Sequence, residues 1–171
     1  FNLLTKRHLG GNTVKSVRLQ LAADPSPTLS VLLSGQYDGG ERDANPQKLK
    51  GTKTATGADC GEAAIIANSC FNVLGYQYPD GKYDISTDGF ADGTPVGTKR
   101  DAYTFSGVVN LKLSDITVTS VSSAEIVKFG RNDDSDGSPQ PLLNVIFGQK
   151  SYSFTQELRA FYTNDRFNVT V

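Results

Sequence analysis

The chain has no Met and no Trp, one His and two Cys among its 171 residues. Each shortage removes a class of function. The single imidazole, His8, sits beside Lys6 and Arg7. One imidazole leaves little room for His-based metal centres or nucleophile–His mechanisms, because both set imidazole among other polar groups. Without Trp the strongest sugar-stacking platform is missing, and Tyr76 and Tyr78, near a turn, are the remaining aromatic candidates. Without Met, Phe1 is not a translation start and is read as the product of processing or trimming.

Longer patterns are missing too. No apolar run approaches the roughly 20 residues of a membrane-spanning helix, and the opening residues do not read as a signal peptide. No G-x-S-x-G elbow, phosphate-binding Gly loop or H-E-x-x-H is found. Nothing singles out two of the 18 acidic residues as a glycosidase pair. The chain therefore reads as non-enzymatic. With 17 basic residues against those 18 acidic ones, the net charge is -1. No dense basic face is visible, so nucleic acid is not an expected partner.

Turn chemistry is abundant. Of the acidic residues 14 are Asp and 4 are Glu, and five Asp stand directly before Gly, at Asp38, Asp80, Asp88, Asp92 and Asp136. Asp-Gly favours reversals because Gly takes positive φ and Asp bonds its own backbone, while Glu, a helix former, is scarce. Apolar residues alternate with polar ones at Val17, Leu19 and Leu21, at Leu29, Val31 and Leu33, at Tyr83 and Ile85, and from Tyr103 to Leu113. Period-two alternation is what a sheet with one wet face requires. At Ser114-Asp115 the parity shifts, which marks a bulge or a hairpin turn. Leu142–Phe147 reads as a buried strand, and Phe167, Val169 and Val171 end the chain in alternation. The Gly-rich stretch 35–58 and the stretch 88–101 read as loops. One short helix is expected over 59–68, with Asp59 as its cap and Glu62 completing a capping box.

The fold expected is all-β: an antiparallel β-sandwich or jelly-roll of about 8–10 strands with one short disulfide-tied helix. Residues 1–13 read as an N-terminal extension that could be exchanged as a strand, and residues 14–171 as a single domain. Cys60 and Cys70 close a short loop and lie in no C-x-x-C. Their even count and close spacing favour a bridge over two free thiols, and a bridge implies an oxidising, extracellular or cell-surface setting.

Two constellations suggest a task. Asn132-Asp133-Asp134-Ser135-Asp136-Gly137 matches the first half of a calcium loop, with Asn132, Asp133, Asp134 and Asp136 as candidate ligands. Leu143 stands where an EF-hand needs a bidentate Glu, and Pro139 and Pro141 forbid the following helix. The plain alternative is an acidic, solvated hairpin loop. The second constellation is the apolar set Phe1, Leu3, Leu4 and Leu9 ahead of Gly10-Gly11. In an extension it has nothing to bury against except a sheet edge, on its own body or a neighbour's. The function expected is an extracellular structural subunit that self-associates into a surface fibre, pilus-like filament or adhesin. The alternatives are a calcium-assisted carbohydrate-binding domain, whose partner would be a glycan or host-surface ligand, and a viral capsid or tail protein.

Overall fold

A computed structural model describes residues 1–43, 49–80, 96–163 and 166–171. Six strands and one helix follow in chain order: β1 (Asn12–Ser26), β2 (Leu29–Asp43), α1 (Glu62–Ile66), β3 (Gly97–Leu113), β4 (Ile116–Asp134), β5 (Asn144–Thr163) and β6 (Asn168–Thr170). The strands are sheet neighbours in that same order. Among the described residues the architecture is thus an antiparallel all-β meander with a single short helix. Among the described residues the strands are longer than the alternation suggested, because runs read as separate strands are continuous. Ile126–Phe129 continues β4, and Tyr152 to Tyr162 belongs wholly to β5.

The turn at Ser114-Asp115 is the hairpin between β3 and β4, and Ser114 takes φ 55°. The reading of 35–58 as loop is corrected, since β2 runs on to Asp43. The glycines there lie beside aromatic side chains. A Cβ on Gly35 would stand 3.7 Å from the Phe105 ring, and one on Gly39 would collide with the Tyr37 hydroxyl. Glycine inside a strand often marks such a close approach. The expected strand at Tyr83 and Ile85 lies outside the described residues, as do Asp88 and Asp92.

The chain falls into two compact units. The first comprises Phe1–Thr13, Glu41–Lys99 and Gly130–Gly148, and the second Val14–Gly40, Arg100–Phe129 and Gln149–Val171.

In the first unit Cys60 and Cys70 form a disulfide, with Cα atoms 6.5 Å apart. The bridge joins the two flanks of α1. The helix is shorter than its apolar run, and its cap is corrected. Gly61 is the N-cap, without a side-chain bond, and Asp59 instead pairs with Lys53 at 2.5 Å. A carboxylate held by an ammonium group in a bridge outside the helix is not free to cap it. Lys53 is also bridged to Phe71 through the backbone, and a Cβ on Gly51 would strike the Phe71 backbone. Gly51 is therefore the residue that lets these two segments pair.

What the first unit buries is mostly polar. Asn2, Asn68, Asn72, Asp134, Asp136 and Ser138 are buried beside Cys70 and Tyr78. These side chains do the work of backbone ladders in irregular chain, where buried N–H groups need acceptors. Asn72 Oδ1 accepts from the Leu74 and Tyr76 amides at 2.9 Å each, and its Nδ2 donates to Gln140 Oε1 at 2.9 Å.

In the second unit long strands lie side by side with almost nothing buried. Ala102 is the only buried apolar residue there among those described. The last strand, β6, covers only three positions of β5, pairing Phe161 with Thr170, Tyr162 with Val169 and Thr163 with Asn168.

Candidate functional site: an uncovered sheet face

Side-chain contacts in the second unit sort the strands onto two faces. Ser16 donates to Asp38 at 2.6 Å, Arg18 Nε reaches Ser34, Asn110 donates to Ser30 and Thr119 donates to Asn110 at 2.7 Å. These even positions of β1, β2 and β3, with the odd positions of β4, make a polar face. Glu157 and Arg159, paired at 2.5 Å, share a face two residues apart on β5. Hydrogen bonds hold two of these carboxylates below the usual carboxylate range, Asp38 mainly through Ser16 and then Gln36, and Glu157 through Arg159.

The opposite face is apolar. Leu19, Leu21, Leu33, Gly35 and Phe105 line one shallow depression. A Cβ on Gly107 would stand 3.3 Å from Leu33, and Tyr37 stacks on Tyr103 with ring centroids 5.1 Å apart while donating to Asp101 at 2.7 Å. On β4, Thr119 points to the polar face, so Ser120 and Ser122 point to the apolar one. Both meet Gln156 of β5, which puts Tyr152, Phe154 and Leu158 on that face as well. Lys150 lies over the Tyr152 ring, 4.9 Å from its centroid.

Much of this apolar surface is exposed. Leu19 is 74% exposed, Leu21 63%, Leu33 48%, Phe105 57%, Tyr152 65%, Phe154 70% and Leu158 68%. Together these seven side chains show on the order of 600 Å² of apolar surface. That is at the upper end of the largest apolar patch on a typical monomer, roughly 300–600 Å², and below the roughly 800 Å² each partner gives to a standard interface. The sequence singled out none of the seven as functional. Alternation cannot tell a core face from an interface face, since both demand the same period.

The sequence-derived candidates lie in the first unit. Asp133 pairs with Arg131 at 2.6 Å and, with Asn132, lines a small cleft that also includes Arg42, Asp43, Gly97 and Thr98. Asp134 and Asp136 turn onto backbone. Asp134 Oδ1 accepts from the Gly137 amide at 3.1 Å, while Asp136 accepts from the Ser138 amide through Oδ1 at 2.9 Å and from the Leu143 amide through Oδ2 at 2.8 Å. Among the described residues no three His, Cys, Asp or Glu side chains are grouped as a metal would need.

Tyr78 is buried and donates to the Asp136 carbonyl at 2.9 Å, which withdraws it from any sugar platform. Burial pushes its phenol up from the ordinary range, against the lowering effect of Asn72 and with help from the nearby Asp136 charge.

Residues 1–9 form a closed turn, not an extended strand. Asn2 is buried and bridged to Arg7, its Oδ1 accepts from the Leu4 and Thr5 amides, and Phe1 stacks edge-on against His8 at 5.1 Å. Phe1, Leu3 and Leu4 are partly exposed, and Leu9 stands beyond the bridge. Leu142, Leu143 and Val145–Phe147, read as a buried strand, are exposed. The expectation failed because a run without polar residues signals burial only where a second layer covers it.

No protein family's profile matches the chain, and no curated protein or solved structure shows a significant likeness to it. Among the described residues no helix is long and apolar enough to cross a membrane.

Proposed function

We propose that the chain is a non-enzymatic structural subunit that self-associates, and that it works in an extracellular or cell-surface assembly such as a fibre or adhesin. The observation that carries this reading is the uncovered apolar face of the second unit. Burying each of its large side chains is worth roughly 1.5–3 kcal/mol, offset in part by the cost of association. Its occupant is a second copy of the same chain. The exposed apolar area is a large part of one side of a standard interface, and a face against its own copy forms a two-layer packing.

Two further observations support the reading. The Cys60–Cys70 bridge suits an oxidising compartment. The only imidazole, His8, is occupied by its ring contact with Phe1 in a surface turn, which is a poor setting for acid–base chemistry.

Sedimentation and electron microscopy of the full chain test the proposal. Discrete multimers or filaments are expected at micromolar concentration. The double variant Phe105→Ser, Phe154→Ser should shift the protein to monomer with its β-type circular dichroism intact. A wild-type chain that stays monomeric and folded at the highest soluble concentration would defeat the reading.

A further inference from the structure

The sheet ends differently on its two sides. At one end β6 is three residues long. At the other, β1 is fifteen residues long, stands last in the strand order and is exposed from Asn12 to Pro25. A long, straight edge strand presents a row of unpaired backbone groups and is a template for another strand. Native edges are usually blunted by Lys or Pro. Here Lys15 and Pro25 stand only toward the ends of β1, and Ser16 to Asp24 between them carries one basic residue, Arg18.

We infer that β1 pairs antiparallel with β1 of a second copy across a two-fold axis at Leu21. The inference rests on the self-association proposed above and adds where one of the contacts lies. The argument is register. A two-fold on a residue keeps each apolar face continuous, because facing residues then share parity. With the axis at Leu21, Arg18 faces the second copy's Asp24, and the reverse pair forms by symmetry. Leu19 then faces Ala23, Gln20 faces Ala22 and Leu21 faces itself. An axis at Arg18 would set guanidinium against guanidinium. An axis at Leu19 sets Asp24 against Val14, and one at Gln20 sets Arg18 against Ala22, so neither forms an ion pair.

The charges are available for this. Asp24 has no ion-pair partner among the described residues, and Arg18 spends only Nε, in a long 3.4 Å bond to Ser34. Opposite charges facing across strands stabilise the pairing, and like charges oppose it. The contact is isologous, so it closes on itself as a two-fold dimer and leaves the apolar faces of both copies side by side for further packing.

Cysteine placement and charge exchange test the register in the full chain. After mild oxidation, Leu21→Cys should give a covalent dimer on a non-reducing gel, because facing Cα atoms in an antiparallel pair lie about 4.5–5.5 Å apart, within disulfide reach. Leu19→Cys should not, since its own counterpart lies four positions along. Arg18→Asp should weaken dimerisation about tenfold, and Arg18→Asp with Asp24→Arg should restore it. Multimers that persist with neither the Leu21 crosslink nor the charge rescue would overturn this inference and leave self-association standing. A monomeric wild type would overturn both.

Discussion

The two units of the chain solve opposite problems. The first is irregular and buries Asn2, Asn68, Asn72, Asp134, Asp136 and Ser138, while the second is regular and buries Ala102. In a sheet the backbone pairs with its neighbour strand, so side chains are released to form faces. In loops the backbone has no ladder, and short polar side chains must satisfy it from within. The first unit is therefore held by polar contacts internal to it. The second has satisfied its backbone but leaves its apolar side chains waiting for a surface.

That contrast predicts where substitutions hurt. The largest effect should come from Asp136→Ala, which strips acceptors from the Ser138 and Leu143 amides and should cost roughly 2–4 kcal/mol in chemical denaturation. Asp136→Asn keeps one acceptor oxygen and should lose about half as much. If Asp136→Ala is neutral, the polar interior is not what holds the first unit. Next, replacing both Cys60 and Cys70 by Ser should cost roughly 2–3 kcal/mol, since the bridge constrains a short loop in the unfolded chain.

Tyr78→Phe should cost about 1 kcal/mol by removing the bond to the Asp136 carbonyl. It also has a pH signature. The folded-state value of the phenol is raised above its unfolded one, so its contribution is whole below about pH 10 and is lost as pH rises through the folded value. Wild type should lose stability in alkali more steeply than Tyr78→Phe. Leu158→Ser, on the bare face of the second unit, should change the stability of the monomer by less than about 0.5 kcal/mol, because the side chain is already largely in water. A large loss there would mean that the face is covered within the chain and would erase the comparison.

Smallest is the acid response of Asp59. Lys53 lowers its pKa, so the pairing contributes above about pH 4 and fades as pH falls through the folded value. The pair is exposed, and Asp59→Asn should leave the melting temperature within error.

The sequence conveyed the regular half of this molecule better than the irregular half. Alternation at Val17, Leu19 and Leu21 and the parity break at Ser114-Asp115 are local signals, and β1 and the β3–β4 hairpin stand where they point. The Cys60–Cys70 bridge was legible from count and spacing. The true length of β2 was not, because Gly35 and Gly39 look like turn residues until they are seen beside Phe105 and Tyr37 in a continuous strand. The backbone contacts of Asp134 and Asp136 were also hidden. A carboxylate that accepts from an amide two, three or seven residues away has the same spelling in the sequence as any other. The bare face was legible as a pattern but not as a surface, since exposure depends on what the rest of the chain fails to supply.

The Cys60–Cys70 bridge has a consequence for how this chain would be damaged. A protease that cuts anywhere from Gly61 to Ser69 opens the backbone around α1 without parting the pieces, because the two sulfurs hold the new ends together. A nicked molecule would keep its full mass on a non-reducing gel and separate into two fragments only when reductant is added. In a setting rich in proteases, the segment around α1 can thus be severed and the chain still remain one molecule.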